Sequence, residues 1–158
     1  MWKIRSRCAE PCSKLPCVAV PTLIPIAHEA YRTETIGRYR DGQFFAKILK
    51  AGRPNGWYVY LHLFDHDGNY VSSDITMVGE ADVLRGEMEE RAERKLAELV
   101  TGLPEREFGD IAIRLFEVDH DGVRFALVDE SESERGDWVE LYPERYGFHE
   151  PWDGLFDT

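Results

Sequence analysis

Apolar residues crowd most densely, between turn signals, in the stretch from Trp57 to Ile75, W-Y-V-Y-L-H-L-F-D-H-D-G-N-Y-V-S-S-D-I. Tyr, Val, Leu and Phe fill the first arm, and Tyr70, Val71 and Ile75 mark the second, which predicts a β-hairpin around a short acidic turn. Two registers compete. A two-residue Asp67-Gly68 turn pairs Leu63 with Ser72 and Leu61 with Asp74, mixing leucines with polar groups. A three-residue loop, His66-Asp67-Gly68 with Gly68 at positive φ, puts Val59, Leu61 and Leu63 on one face with Val71, Ser73, Ile75 and Met77. A one-residue slip exchanges the faces, so the apolar pattern selects the three-residue loop and its bulge. Tyr58, Tyr60, His62 and Phe64 line the opposite face, which must then be partly covered too.

The same reading extends along the chain. Pro21 and Pro25 favour an extended lead-in, because each proline pushes its predecessor out of helix. Thr35 to Tyr39 and Gln43 to Leu49 flank Asp41-Gly42 and predict a first hairpin. Gly52, Pro54, Asn55 and Gly56 form a loop. One long helix is expected from about Ala81 to Thr101. Leu84, Met88, Ala92, Leu96 and Leu99 recur at steps of four and three, and Gly102 and Pro104 end it. Gly86 allows a later start. Ile111 to Val118 and Val123 to Val128 are nearly continuous in apolar residues, which suits interior strands. Trp138 to Leu141 reads as a last edge strand.

The final stretch holds Tyr142, Tyr146, Phe148, Trp152 and Phe156, too many aromatics to leave in water. Pro143, Gly147, Pro151 and Gly154 exclude a long helix. Such a tail must dock irregularly, on its own domain or on a partner. The expected fold is α+β: an antiparallel sheet of about six strands built from hairpins, packed against one long helix, with an irregular aromatic C-terminal tail.

Composition adds a boundary. The chain has 158 residues and a net charge of −11, but its first seventeen residues are +3, so the remainder carries −14. Cys8, Cys12 and Cys17 all lie in that basic start, at a spacing that matches neither zinc-ligand pairs nor a closed disulfide set. Residues 1–20 are therefore read as a disordered extension, and residues 21–158 as a single domain. Prolines interrupt the early apolar run, which disfavours an export signal, and no run is long enough to span a membrane. A cytoplasmic protein follows. The acidic body disfavours nucleic acid and anionic membranes and permits a basic protein partner.

Some chemistry is on offer. D-H-D-G occurs at Asp65–Gly68 and again at Asp119–Gly122, and two such turns could meet at one end of a sheet as a metal or acid/base site. The calcium-loop template fails, because Tyr70 stands where glycine is required and Asp74–Thr76 offers no terminal Glu. Asp-Gly is also the ordinary chemistry of a tight turn. His62 lies within a strand, as a core or interface histidine. His149, before Pro151 and Trp152, reads as a lock that pins the tail. His62, His149 and Trp152 are the candidate partner-surface residues. No catalytic, metal or cofactor-binding residue is assigned, and no cofactor is expected.

The segments I-P-I-A-H-E, Y-R-T-E-T-I-G-R-Y-R-D-G-Q-F-F-A, F-G-D-I-A-I-R and L-Y-P-E-R-Y-G-F-H-E-P-W-D-G-L-F-D-T carry a resemblance. They are similar to a family of small actinobacterial proteins often labelled formate hydrogenlyase regulatory protein, over about Val20 to the C-terminus. The resemblance implies a regulatory role and carries over no catalytic residue. The expected function is a non-catalytic, acidic, protein-binding regulatory module. The alternatives are an immunity protein against a basic toxin, or a small metal-dependent enzyme using the D-H-D-G turns.

Overall fold

The computed structural model describes residues 20–28, 33, 35–50, 56–80 and 82–158. The expected N-terminal extension, with its three cysteines, and most of the Gly52–Gly56 loop lie outside the described residues. Among these residues eleven strands and one helix follow in order. They are β1 (Ile24–Ile26), β2 (Ile36–Tyr39), β3 (Gly42–Lys50), β4 (Trp57–Phe64), β5 (Tyr70–Gly79), α1 (Arg85–Thr101), β6 (Glu107–Phe108), β7 (Ile111–Ile113), β8 (Phe116–His120), β9 (Val123–Asp129), β10 (Val139–Tyr142) and β11 (Tyr146–Phe148). The class is α+β, antiparallel throughout and with one long helix, as the hairpin pattern predicts. The strands form three sheets rather than one: β5-β4-β3-β2-β6, β11-β10-β9-β8, and the pair β1-β7.

The alternation within β3 and β4 explains the layering. Phe44, Ala46, Val59 and Leu61 point to one side and pack on Met88, Ala92 and Val100 of α1. Phe45, Tyr60 and Phe64 point to the other side and meet Phe116, Phe125, Leu127, Val139 and Leu141 of the second sheet. The five-stranded sheet is thus a middle layer with both faces buried. Ile24, Ile26, Ile111 and Ile113 of the β1-β7 pair close one end of this second core. The Gln43 amide fastens that pair, donating to the Ala112 carbonyl at 3.0 Å and accepting from the Ala112 N–H at 2.8 Å.

The expected three-residue loop forms, with Phe64 opposite Tyr70 and the Asp65 N–H donating to the Asn69 carbonyl at 2.9 Å, but beyond it the central hairpin departs from its expected register. Leu63 pairs with Ser72 and Leu61 with Asp74, the pairing that the apolar pattern disfavours. Register shifts occur between Leu63 and Phe64 and between Trp57 and Tyr58, so Val71 and Val78 are the extra residues. The reason is on the inner face. Tyr70 keeps the inward place that the loop gives it and stacks on Phe116 at 5.2 Å, while the bulge at Val71 turns Ser73 inward, where it shares a 2.7 Å hydrogen bond with Nδ1 of His62. Counting apolar residues gives that hydrogen bond no weight. Gly68 does take a positive φ of 88°, as expected. At the second D-H-D-G, Asp121 (φ 53°) and Gly122 (φ 80°) are both left-handed, the geometry of a two-residue hairpin turn.

Other departures have similar causes. The expected strand Ile111 to Val118 is split, since β7 pairs with β1 and β8 with β9. Trp138 to Leu141 becomes the interior strand β10, because the tail supplies β11 beyond it. The rest of the tail is irregular and docks on its own domain. Gly147 and Asp157 exchange backbone hydrogen bonds, and the Ala27 N–H donates to the Gly154 carbonyl at 3.0 Å. Leu84, expected in the helix stripe, is the N-cap and is 77% exposed.

Candidate functional site

Several interior and surface settings hold the polar groups that could carry function. The first is His62. It is 2% exposed, and Phe45, Tyr60, Phe64, Tyr70, Phe116 and Phe125 ring it at centroid distances of 4.7–6.5 Å. Burial lowers its pKa to about 3, so the ring is neutral at ordinary pH. Expected on a partner surface, it instead lies between the sheets, where a docking partner does not reach it. It is a core histidine satisfied by Ser73.

The second setting is a carboxyl at the same sheet interface. Glu144, in the turn from β10 to β11, accepts a hydrogen bond from the Tyr60 hydroxyl through Oε2. Its Oε1 is buried with no hydrogen-bond partner among the described residues. Burial raises the Glu144 pKa; the Tyr60 hydrogen bond and the Lys47 charge offset this only in part. Burial, then the Glu144 charge, pushes the Tyr60 hydroxyl well up. Sequence reasoning does not single out Glu144. Its only signal is a carboxylate inside the aromatic run Tyr142 to Phe148.

The tail residues form the third. The His149 ring stacks on Trp138 at 5.0 Å, and its Nε2 lies 2.9 Å from Asp157 Oδ2. His149 therefore pins the tail to the second sheet, the lock that its setting predicts. Trp152 follows the cis Glu150-Pro151 bond at φ 60° and packs its ring on the main core, half-buried.

The two D-H-D-G turns do not meet. Asp65 follows Phe64 at one end of β4, whereas His120 lies edge-on to Tyr58 near the other end, at 6.4 Å. Tyr58 and Phe64 are six strand residues apart, about 20 Å. Each turn is engaged locally. Asp65 Oδ1 accepts the N–H groups of Asp67 and Asn69, each at 2.9 Å. Hydrogen bonds from Asn69, foremost, hold the Asp65 carboxyl below its ordinary range. His66 Nε2 donates to the Arg40 carbonyl at 3.1 Å. Among the described residues, no three His, Cys, Asp or Glu side chains come together as a metal-ligand set.

What remains outward is charge. From Phe116 to Thr158 there are thirteen carboxylate side chains against three arginines, a net −10. All three arginines are engaged within the second sheet and its loops. Arg124 donates to Glu117 at 2.8 Å and lies 4.6 Å from the Tyr142 ring. Arg135 lies 4.5 Å from the Trp138 ring. Arg145 donates to the buried Glu140, which also accepts from Trp138 Nε1 at 3.0 Å. Burial alone would raise the Glu140 pKa, but those two hydrogen bonds and the nearby arginines lower it. Glu117, Asp119, Asp121, Glu132, Glu134, Glu150, Asp153 and Asp157 stay exposed. The second sheet and its loops therefore present one strongly acidic surface. No helix among the described residues is long and apolar enough to cross a membrane.

Comparison of the chain with protein-family models, with curated proteins and with solved structures finds no match.

Proposed function

We propose that this chain is a non-catalytic, protein-binding regulatory module whose acidic second sheet engages a basic partner in the cytoplasm. The observation that carries the reading is charge segregation: −10 of the body's −14 lies from Phe116 onward, with every arginine there already taken. Such a field steers and selects a cationic protein surface and repels nucleic acid. The family resemblance supports the regulatory part of the reading. The interior polar groups support the non-catalytic part, because His62, Tyr60 and Glu144 are turned toward each other's sheets rather than toward solvent.

The test is affinity capture from the native cell at low salt, followed by mass spectrometry and salt elution. A basic partner that elutes as salt rises, and that a variant with Asp119→Asn, Asp121→Asn, Glu132→Gln and Glu134→Gln no longer holds, is the expected result. Retention by the variant overturns the reading. The same charge complementarity favours a second reading, an immunity protein for a basic toxin. Rescue of cells from a neighbouring toxin gene by the chain selects that one.

A further inference from the structure

The sandwich is closed on one side and open on the other. On the closed side, β6 pairs with the outer edge of β2, and the Gly147–Asp157 bridge covers the outer edge of β11. On the open side lie β5 and β8, the terminal strands of their sheets, and among the described residues no strand pairs with either outer edge. An uncovered edge presents alternate backbone N–H and C=O groups to whatever approaches, and folded chains ordinarily blunt it with lysine, proline or a bulge.

β5 is blunted only at its ends. Bulges at Val71 and Val78 bracket it, and Arg91 Nη1 donates to the Val78 carbonyl at 3.0 Å. Between them, residues 72–77 (S-S-D-I-T-M) run in unbroken register with β4 and contain one charge, Asp74. Val71, just before this segment, is 57% exposed, and Met77, at its end, is 41% exposed. Six residues are about 20 Å of strand, an ordinary length for one added strand.

β8 runs along the same opening. Phe116 stacks on Tyr70 at one end of β5, and His120 meets Tyr58, the pairing partner of Met77, at the other. Its outward side chains Glu117 and Asp119, and Asp121 in the turn, are exposed. Neither β5 nor β8 contains a lysine or an arginine. The opening thus combines unused backbone hydrogen-bonding groups, two apolar contacts and an acidic rim.

We infer that the partner donates an extended, lysine- or arginine-bearing segment that adds as a sixth strand to the free edge of β5, with its cationic side chains under the β8 rim. This rests on the protein-binding reading above and names the chemistry of the partner. Backbone pairing supplies the affinity in such strand addition, and side-chain complementarity supplies the choice of partner. A second copy of this chain fits less well, since it would bring two acidic rims and two copies of Asp74 together.

The probe is a ten-residue synthetic peptide of alternating lysine and valine, titrated into the full chain, with amide hydrogen exchange followed by mass spectrometry. Three controls accompany it: the same peptide N-methylated at alternate residues, its glutamate analogue, and a Val71→Lys/Met77→Lys chain whose thermal unfolding is checked first. The expected result is slowed exchange across residues 72–77. Affinity should fall about tenfold in the double variant and with N-methylation, and the glutamate peptide should not bind. Equal binding of the N-methylated peptide with unchanged β5 exchange overturns the edge inference and leaves the acidic-surface reading standing. So does β5 protection in the free chain that is lost on dilution, which assigns the edge to a second copy. Protection that is lost when the chain starts at Val20 assigns the edge to the chain's own basic start, and also overturns it. Failure of the lysine peptide to bind overturns the inference, while the capture experiment independently decides the wider reading.

Discussion

The Tyr60 hydroxyl donates to the carboxylate of Glu144 across the interface between the two large sheets. The pair sits where β4 passes under the β10–β11 turn, and one Glu144 oxygen is shut away with no partner among the described residues. A carboxyl placed this way holds its proton more tightly than it does in the unfolded chain.

That makes Glu144 a source of pH dependence with a definite sign. Its folded pKa is raised above its unfolded value of 4.5. Between those two values the folded state binds the extra proton, so this group's contribution to stability is present below pH 4.5 and declines as pH rises through the window. Glu144→Gln removes the titration. Urea unfolding of both chains from pH 4 to 8 should show the variant gaining on the parent as pH rises; a constant difference refutes the assignment.

His62 works in the opposite direction. Its pKa is about 6.5 unfolded and about 3 folded, so between those values the unfolded chain binds a proton that the folded chain refuses. Stability from the neutral ring is complete above pH 6.5 and is lost as pH falls, at up to about 1.4 kcal/mol per pH unit. His62→Phe suits the aromatic ring around it and should lose this dependence. Going from pH 7 to 5 should cost the parent about 2 kcal/mol more than the variant. Equal losses in urea unfolding would contradict the buried setting.

Trp138 lies flat on Gly147. A Cβ built at Gly147 falls 2.0 Å from Cζ2 of that ring. Gly147→Ala should displace the indole, break its stack with His149 and cost about 1–3 kcal/mol, the range for overpacking. Thermal unfolding and tryptophan fluorescence report the two effects together; an unchanged midpoint would mean that the tail does not depend on this contact.

Helix α1 begins without a side-chain cap. Leu84 occupies the N-cap in an extended conformation (ψ 142°), largely exposed. Leu84→Asp should therefore stabilise the chain by about 1 kcal/mol, by accepting the orphan N–H groups of the first turn. A loss of stability on thermal unfolding would show that Leu84 contributes packing that its exposure does not reveal.

Local chemistry announces itself in these residues. Asp41-Gly42, Asp67-Gly68 and Asp121-Gly122 mark three of the hairpin turns, since turn residues act within a few positions of themselves. The Met88–Ala92 stripe marks the buried face of α1, because helical period and burial coincide there. The aromatic tail was legible as a segment that must dock, through its cost in water alone. The candidate surface was legible only as total charge. The −14 of the body can be counted along the chain, but its concentration on the sheet beginning at Phe116 depends on which strands share a layer.

Fold class, turns and helix can be read along the chain, because each of these depends on neighbours within a few residues. Long-range packing sets the rest: β4 is buried on both faces, Ser73 turns inward to His62, Glu144 meets Tyr60, and β5 and β8 open on the same side. The physical reason is common to all four. When both faces of a strand are apolar, alternation no longer says which face meets which layer, and register is then settled by partners far away along the chain.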